Sequence, residues 1–572
     1  MLRISHAGLG LLAIIALIAP EGVAQGPSSS ILKQDRDDAP AQSLTAAERA
    51  TLGDPLFDLV LKEHGDLTNL AQLEDLIQPD PTKRQTFVVD ENIADPRREV
   101  APQQPQTRRC VLTFTGTNKG HVLSPNVMLS VFFDSQTFTD TPNDIEAWGW
   151  DSHRGRYNYY KLDRRGTPGG QLTWKFRISS DRADLATPSD RRGTCLACHI
   201  NGAPAMKELS FPWNNWHSFK SEASYMTQTA SPSVQWPVAA SPRLASGRLT
   251  GAEQLETNGI LPAITQFNIR RVNRSLAQDD AASNVAIDAE GFARVLEGKG
   301  LLRPLFFTTE YNVISAAQKS GLHPFPTVST AGPSESIQVP ATFFLNANII
   351  SGGTPAGYVG LGIQKGQSFA QVVRLTPAEY KLLVIDSAVQ LGGRVPGDAD
   401  FAWFVPEASH IDNDLVDRLM RRGVLTRELV AAVVAVDLEH PVLSKSRETL
   451  WQFVPSEFRF KPLVSDADVQ QRRHPDELTK RMVAALEAAN PTPGTPESQF
   501  LTLLKDPDPL KRLEEQIDAY LGRLKTALDV PGSREVELKR LQQLAIERRQ
   551  AVLADGVLKR INETGNRLFP LP

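Results

Sequence analysis

Apolar and polar positions along this chain follow two different periods. In LTWKFRIS (172–179), Leu172, Trp174, Phe176 and Ile178 alternate with Thr173, Lys175 and Arg177, the period-two pattern of a half-buried strand. NVMLSVFF (126–133) has the branched and aromatic composition of a second strand. Between them, IEAWGWDSHRGRYNYYKLD (145–163) reads as two aromatic strands joined by an Asp-Ser-His-Arg-Gly turn. The pattern therefore predicts a β-meander. Further on the period lengthens. LTRELVAAVVAVDLEHP (425–441) reads as one helix, with Thr426 as its cap and Pro441 as its stop. Leu510, Leu513, Ile517, Leu521, Leu524 and Leu528 recur every three or four residues, and Pro531-Gly532-Ser533 turns the chain into a second charged helix. A helical hairpin is expected over 505–565, its charges forming a solvated face. Two earlier helices are expected over 44–64 and 67–77. The fold class that follows is α+β: a β-meander first, then a mainly α-helical C-terminal half.

Proline-rich stretches at 231–242, 323–340 and 490–499 mark boundaries or long surface loops. With 572 residues the chain has room for several domains. The expected divisions are a signal peptide (1–24), a polar N-terminal arm with short helices (25–108) and a β-rich domain (109–235). A mixed region (236–335), a mainly helical domain (336–489) and the C-terminal hairpin (490–572) follow.

Composition narrows the class of function. Hydrophobic residues make up 41% and charged residues 22% of the chain, the balance of an ordinary globular protein. A net charge of −4 gives no bulk electrostatic reason to bind nucleic acid or anionic lipid. The first residues read MLRISHAGLGLLAIIALIAPEGVAQ: a basic Arg3, a short apolar run, then Gly22-Val23-Ala24 with small residues where a signal peptidase cuts. The run is too short for a permanent anchor, and no later segment has the length or apolarity of a membrane span. The mature protein is expected to be exported, periplasmic and soluble.

Export sharpens the question of the cysteines, of which there are three. Cys110 has no thiol near it in sequence and reads as a buried single cysteine. Cys195 and Cys198 are spaced C-x-x-C, with His199 immediately after. A zinc site would want a second ligand pair, and none is evident. A redox dithiol fits the two thiols in an oxidising compartment. Covalent haem attachment accounts for all three residues, since two thiols add across the vinyl groups and the histidine reaches the iron. Chance produces the pattern among three cysteines on the order of 10⁻⁴ of the time.

On Cys195, Cys198 and His199 the chain resembles the c-type cytochromes over about thirty residues. The resemblance implies one covalently attached haem c, thioether bonds at Cys195 and Cys198, and His199 as proximal iron ligand. Asn201-Gly202-Ala203-Pro204 offers a carbonyl to orient that histidine, and Arg191 and Arg192 offer partners for haem propionates. For the sixth ligand the chain presents His217, Met206, Met226 or none of them. His217 lies in FPWNNWH, where Pro212 opens a helix that sets Trp213, Trp216 and His217 on one face. A meander running into C-x-x-C-H is also similar, in order only, to the cytochrome P460 and β-type cytochrome c′ family. Its members hold a five-coordinate haem that binds or oxidises small nitrogen compounds.

Three functions follow from the resemblance. A six-coordinate haem makes a periplasmic electron carrier with a redox partner protein, the simplest reading. An open iron makes a haem oxidoreductase or a binder of NO, O₂ or peroxide. A structural haem would serve a partner-binding protein. A single haem needs about 100 residues to hold it, so the remaining helical mass implies a partner surface, a cleft or an enclosure. Other motifs are weak. Gly360-x-Gly362-x-x-x-Gly366 misses the dinucleotide spacing and reads as a loop. Asp412-Asn413-Asp414 lacks the rest of a calcium loop. His121, His153 and His410 remain remote ligand candidates.

Overall fold

The structure is a computed structural model. It describes residues 31–90, 108–133, 142, 144–181, 193–197, 199, 248, 255, 259–276, 287–295, 298–306, 311–315, 337–338, 349–350, 360–363, 374–376, 378–379, 382–383, 386, 404–408, 410–440, 444–463, 465–471 and 476–554.

Residues 32–179 build an eight-stranded sheet. Strands β1 (Leu32–Lys33), β2 (Gln42–Ser43), β3 (Arg84–Asp90), β4 (Arg108–Phe114), β7 (Val127–Phe133), β8 (Asp144–Asp151), β9 (Arg156–Asp163) and β10 (Thr173–Ser179) lie in the order β2-β1-β10-β9-β8-β7-β4-β3. A small hairpin, β5 (Thr117–Asn118) with β6 (His121–Val122), stands apart from the sheet. Neighbours run antiparallel except β1, which joins β10 in parallel. Strands β7 to β10 are the expected meander, within a residue or two of the expected ends. The stretch 31–90, expected to be a polar arm, supplies three strands of this same sheet.

Alternation sorts side chains to two faces, and both are covered. One face carries Leu112, Leu129, Ile145, Leu162 and Trp174 against the helical segments of 46–77. These segments are α1 (Ala46–Arg49), a π-type turn (Phe57–Leu61) leading into α2 (Lys62–His64), and α3 (Leu70–Ile77). The single helix expected over 44–64 is thus two pieces. Pro55 lacks an amide hydrogen and disfavours helical geometry in the residue before it, so the break falls at Gly53-Asp54-Pro55. Thr45 and Glu48 close a capping box on α1, and Asn69 caps α3 through the amide of Gln72. Fully buried Trp174 donates its indole N–H to Leu67 O at 2.8 Å. Removing such a side chain from water stabilises by about 3 kcal/mol.

The other face carries Phe87, Val111, Met128, Trp148, Trp150, Tyr157, Tyr159 and Ile178. Part of its cover is α4 (Leu261–Ser275), whose Ala263, Ile264 and Phe267 pack on these rings. The same helix reaches the second core through Val272 and, just past its end, Leu276 follows.

That second core is helical. It is built from α5 (Gly298–Phe306), α6 (His410–Arg421), α7 (Arg427–Ala435), α8 (Lys445–Leu450), α9 (Glu477–Ala489), α10 (Pro496–Lys505), α11 (Pro509–Asp529) and α12 (Pro531–Ala554). Thr426 caps α7 as expected, accepting from Leu429 N at 3.2 Å. The helix ends at Ala435, ahead of the expected stop at Pro441, where Asp437 gathers the amide and ring of His440 and the hydroxyl of Ser444. The hairpin appears as α11 and α12, turning at Val530 and Pro531. An N-terminal mixed sheet and a mainly helical C-terminal half make the fold α+β. No helix among the described residues is long and apolar enough to cross a membrane.

Candidate functional site

Residues around Cys195 meet the aromatic face of the sheet at its β9–β10 end. Register sets the floor: Trp148 lies opposite Tyr159, Trp150 opposite Tyr157, and Met128 opposite Trp148. Tyr157 is the hub of this floor. Its ring meets Trp148 edge-on at 4.9 Å and Trp150 at 4.7 Å, geometries favoured by the ring quadrupoles. Its hydroxyl donates to Ala263 O at 3.1 Å and accepts from Gln266 Nε2 at 2.7 Å, which ties the floor to α4.

Cys195 opens a short 3₁₀ turn, Cys195–Ala197. Leu196 plugs into the aromatic cluster and Cys195 packs at its margin. Thr194 Oγ1 accepts from Leu196 N at 3.2 Å, and His199 N donates to Cys195 O at 2.9 Å. The second bond closes one helical turn, so the thiol-bearing residue and the imidazole lie a single turn apart. The His199 ring stacks against Tyr159 at 4.8 Å with a tilt of 35°. Sequence therefore brings Cys195 and His199 together, with Tyr159 as their neighbour. Cys198, Met206, His217 and Met226 lie outside the described residues, as do Arg191, Arg192 and 201–204.

Charge beside the turn comes from the sheet. Arg177 sits at a bulge where β10 shifts register against β9. Its side chain is 2% exposed and donates from Nη2 to Asp37 Oδ1 at 2.8 Å, while its Nε has no acceptor among the described residues. Burial pushes the Cys195 thiol up to about 12, with the Arg177 guanidinium pulling the other way. Lys175, also fully buried, pairs with Asp163 and donates to Arg165 O; burial holds its pKa below the usual lysine value. These two cations occupy positions that alternation alone assigns to a solvated face. Their burial is set by one carboxylate each, Asp163 for Lys175 and Asp37 for Arg177, which the strand pattern does not reveal.

Other candidates lie elsewhere. His121 pairs with Asp58 at 3.4 Å, on the helical side of the sheet. His153 is exposed in the β8–β9 turn, and His410 opens α6. Asp412, Asn413 and Asp414 are within α6, not in a loop. Gly360 and Gly362 have positive φ in a segment that buries Leu361 and Ile363 in the helical core. Cys110 is buried on β4. Among the described residues no cluster of three or more His, Cys, Asp or Glu side chains is placed to hold a metal ion. No known protein family, curated protein or solved structure matches this chain.

Proposed function

We propose that the chain is an exported monohaem c-type cytochrome that carries electrons to or from a protein partner in the periplasm. The observation that carries the reading is the C-x-x-C-H motif itself, Cys195, Cys198 and His199. Cys195 and His199 stand one turn apart against an aromatic floor. The donor set fits the group in kind. Two thiols of this spacing add S–H across two vinyl C=C bonds with no change in electron count, and the following imidazole is a ligand for iron. Tyr159 stacks on the His199 ring, and Tyr157, Trp148 and Trp150 form the buried aromatic cluster on which the turn of Cys195 rests. Buried Arg177 offers near the motif an N–H that has no acceptor among the described residues. Haem supplies one-electron chemistry when bound; the protein supplies its orientation, a low-dielectric wall and limited access for water.

A second reading is favoured by the order of the sheet. Strands β7 to β10 form a meander that runs into the motif, the arrangement on which the likeness to the cytochrome P460 and β-type cytochrome c′ family rests. In that reading the far side of the iron is open, and the protein is a haem oxidoreductase or small-ligand binder. Absorption spectra of the dithionite-reduced protein, before and after CO, separate the two. An electron carrier with two firm ligands keeps its low-spin spectrum under CO. Rapid CO binding contradicts the carrier and supports the open site.

A further inference from the structure

We infer that residues 34–37 form a strap closing over the start of the C-x-x-C-H motif, with Arg177 as the positioning residue that holds it shut. The strap enters through β1, where Gln34 N donates to Phe176 O at 3.0 Å. Three residues on, Asp37 N donates to Gly193 O at 2.9 Å, two positions before Cys195. Gly193 has φ +72°, a conformation glycine adopts freely, and a side chain there would meet Asp37 N at 3.6 Å. Strap and turn are thus in backbone contact.

Arg177 joins both sides from beneath. Its Nη2 donates to Asp37 Oδ1 at 2.8 Å and reaches Gly193 O at 3.4 Å, and its Nη1 reaches Gln34 Oε1 at 3.4 Å. One guanidinium therefore binds two strap residues and the turn that delivers Cys195. The guanidinium is buried, whereas the Asp37 side chain is 44% exposed. Such a contact opens by local displacement of the strap, without unfolding of the sheet. Closed, it holds Gly193 and the turn that carries half-buried Cys195 against the sheet; opened, it exposes that thiol further. Only the naming of that group as haem rests on the proposed function.

The test uses the mature chain made without haem-maturation machinery and kept reduced. Maleimide labelling is followed site by site by peptide mapping. Asp37→Ala and Arg177→Met are expected to label at Cys195 about tenfold faster than the parent, the ratio reporting the population of open strap. Cys110, buried in β4, stays protected and so reports that the sheet remains folded. Should Arg177→Met expose Cys110 as well, Asp37→Ala alone decides. Equal labelling of Cys195 in parent and Asp37→Ala overturns the strap. Failure of the parent to take up covalent haem overturns the proposed function instead and leaves this readout unmoved.

Discussion

Asp54 shows how far a single residue shapes this sheet. It has no exposure, and its carboxylate accepts from Phe57 N at 3.0 Å, Asn158 Nδ2 at 2.8 Å and Tyr160 Oη at 2.5 Å. It fixes the break between α1 and the π-type turn and ties both to β9. Gly149 exists for its sake, since a Cβ there would lie 2.1 Å from Asp54 Oδ1. Burial raises the Asp54 pKa, against the three hydrogen bonds that lower it. For an acid with a raised folded pKa, the stabilising contribution is complete below the unfolded value of about 3.9 and is lost as pH rises through the folded one. Asp54→Asn is therefore expected to remove a decline in stability over that window, read as the denaturant midpoint against pH. A parallel pH profile for parent and variant would contradict this. Tyr160→Phe, which withdraws a buried donor, is expected to cost about 1–3 kcal/mol by the same measurement.

At the scale of elements, α4 joins the two cores. Its first half lies on the aromatic floor and Val272 lies in the helical core. Between them, buried Asn268 donates to Asp414 Oδ2 at 2.8 Å, and the same oxygen takes Arg418 Nε at 2.7 Å. Asn268→Ala leaves Asp414 short of a donor and is expected to cost about 1–3 kcal/mol. It is also expected to separate thermal unfolding of sheet and helices into two calorimetric transitions; a single transition at the parent temperature would contradict the coupling. Much of this level was legible in the sequence. The meander strands came from alternation and aromatic composition, and α7, α11 and α12 from three–four spacing with Thr426 and Pro531 as punctuation. What escaped were features set by partners distant in sequence. Strand β1 is two residues long and is a strand only because Phe176 and Ser43 flank it. Lys175 and Arg177 look like the wet side of β10, yet Asp163 and Asp37 bury them as pairs. The motif itself needed no structure to find, but its setting did: nothing in the local sequence announced that Tyr159 stacks on His199.

For the whole molecule, the sheet presents one aromatic face to the cysteine turn while its other face is packed by the N-terminal helices. The helical half reaches that face through α4, by way of Ala263, Gln266 and Phe267. Part of the helical mass thus packs on the aromatic face behind the cysteine turn. Covalent haem attachment is tested by producing the chain with haem-maturation machinery and measuring its intact mass after full denaturation. One haem is expected to remain covalently attached, and to be lost in the Cys195→Ser, Cys198→Ser double variant. A chain that carries no haem, with Cys195 and Cys198 joined in a reducible disulfide, would contradict it and make the pair a redox dithiol.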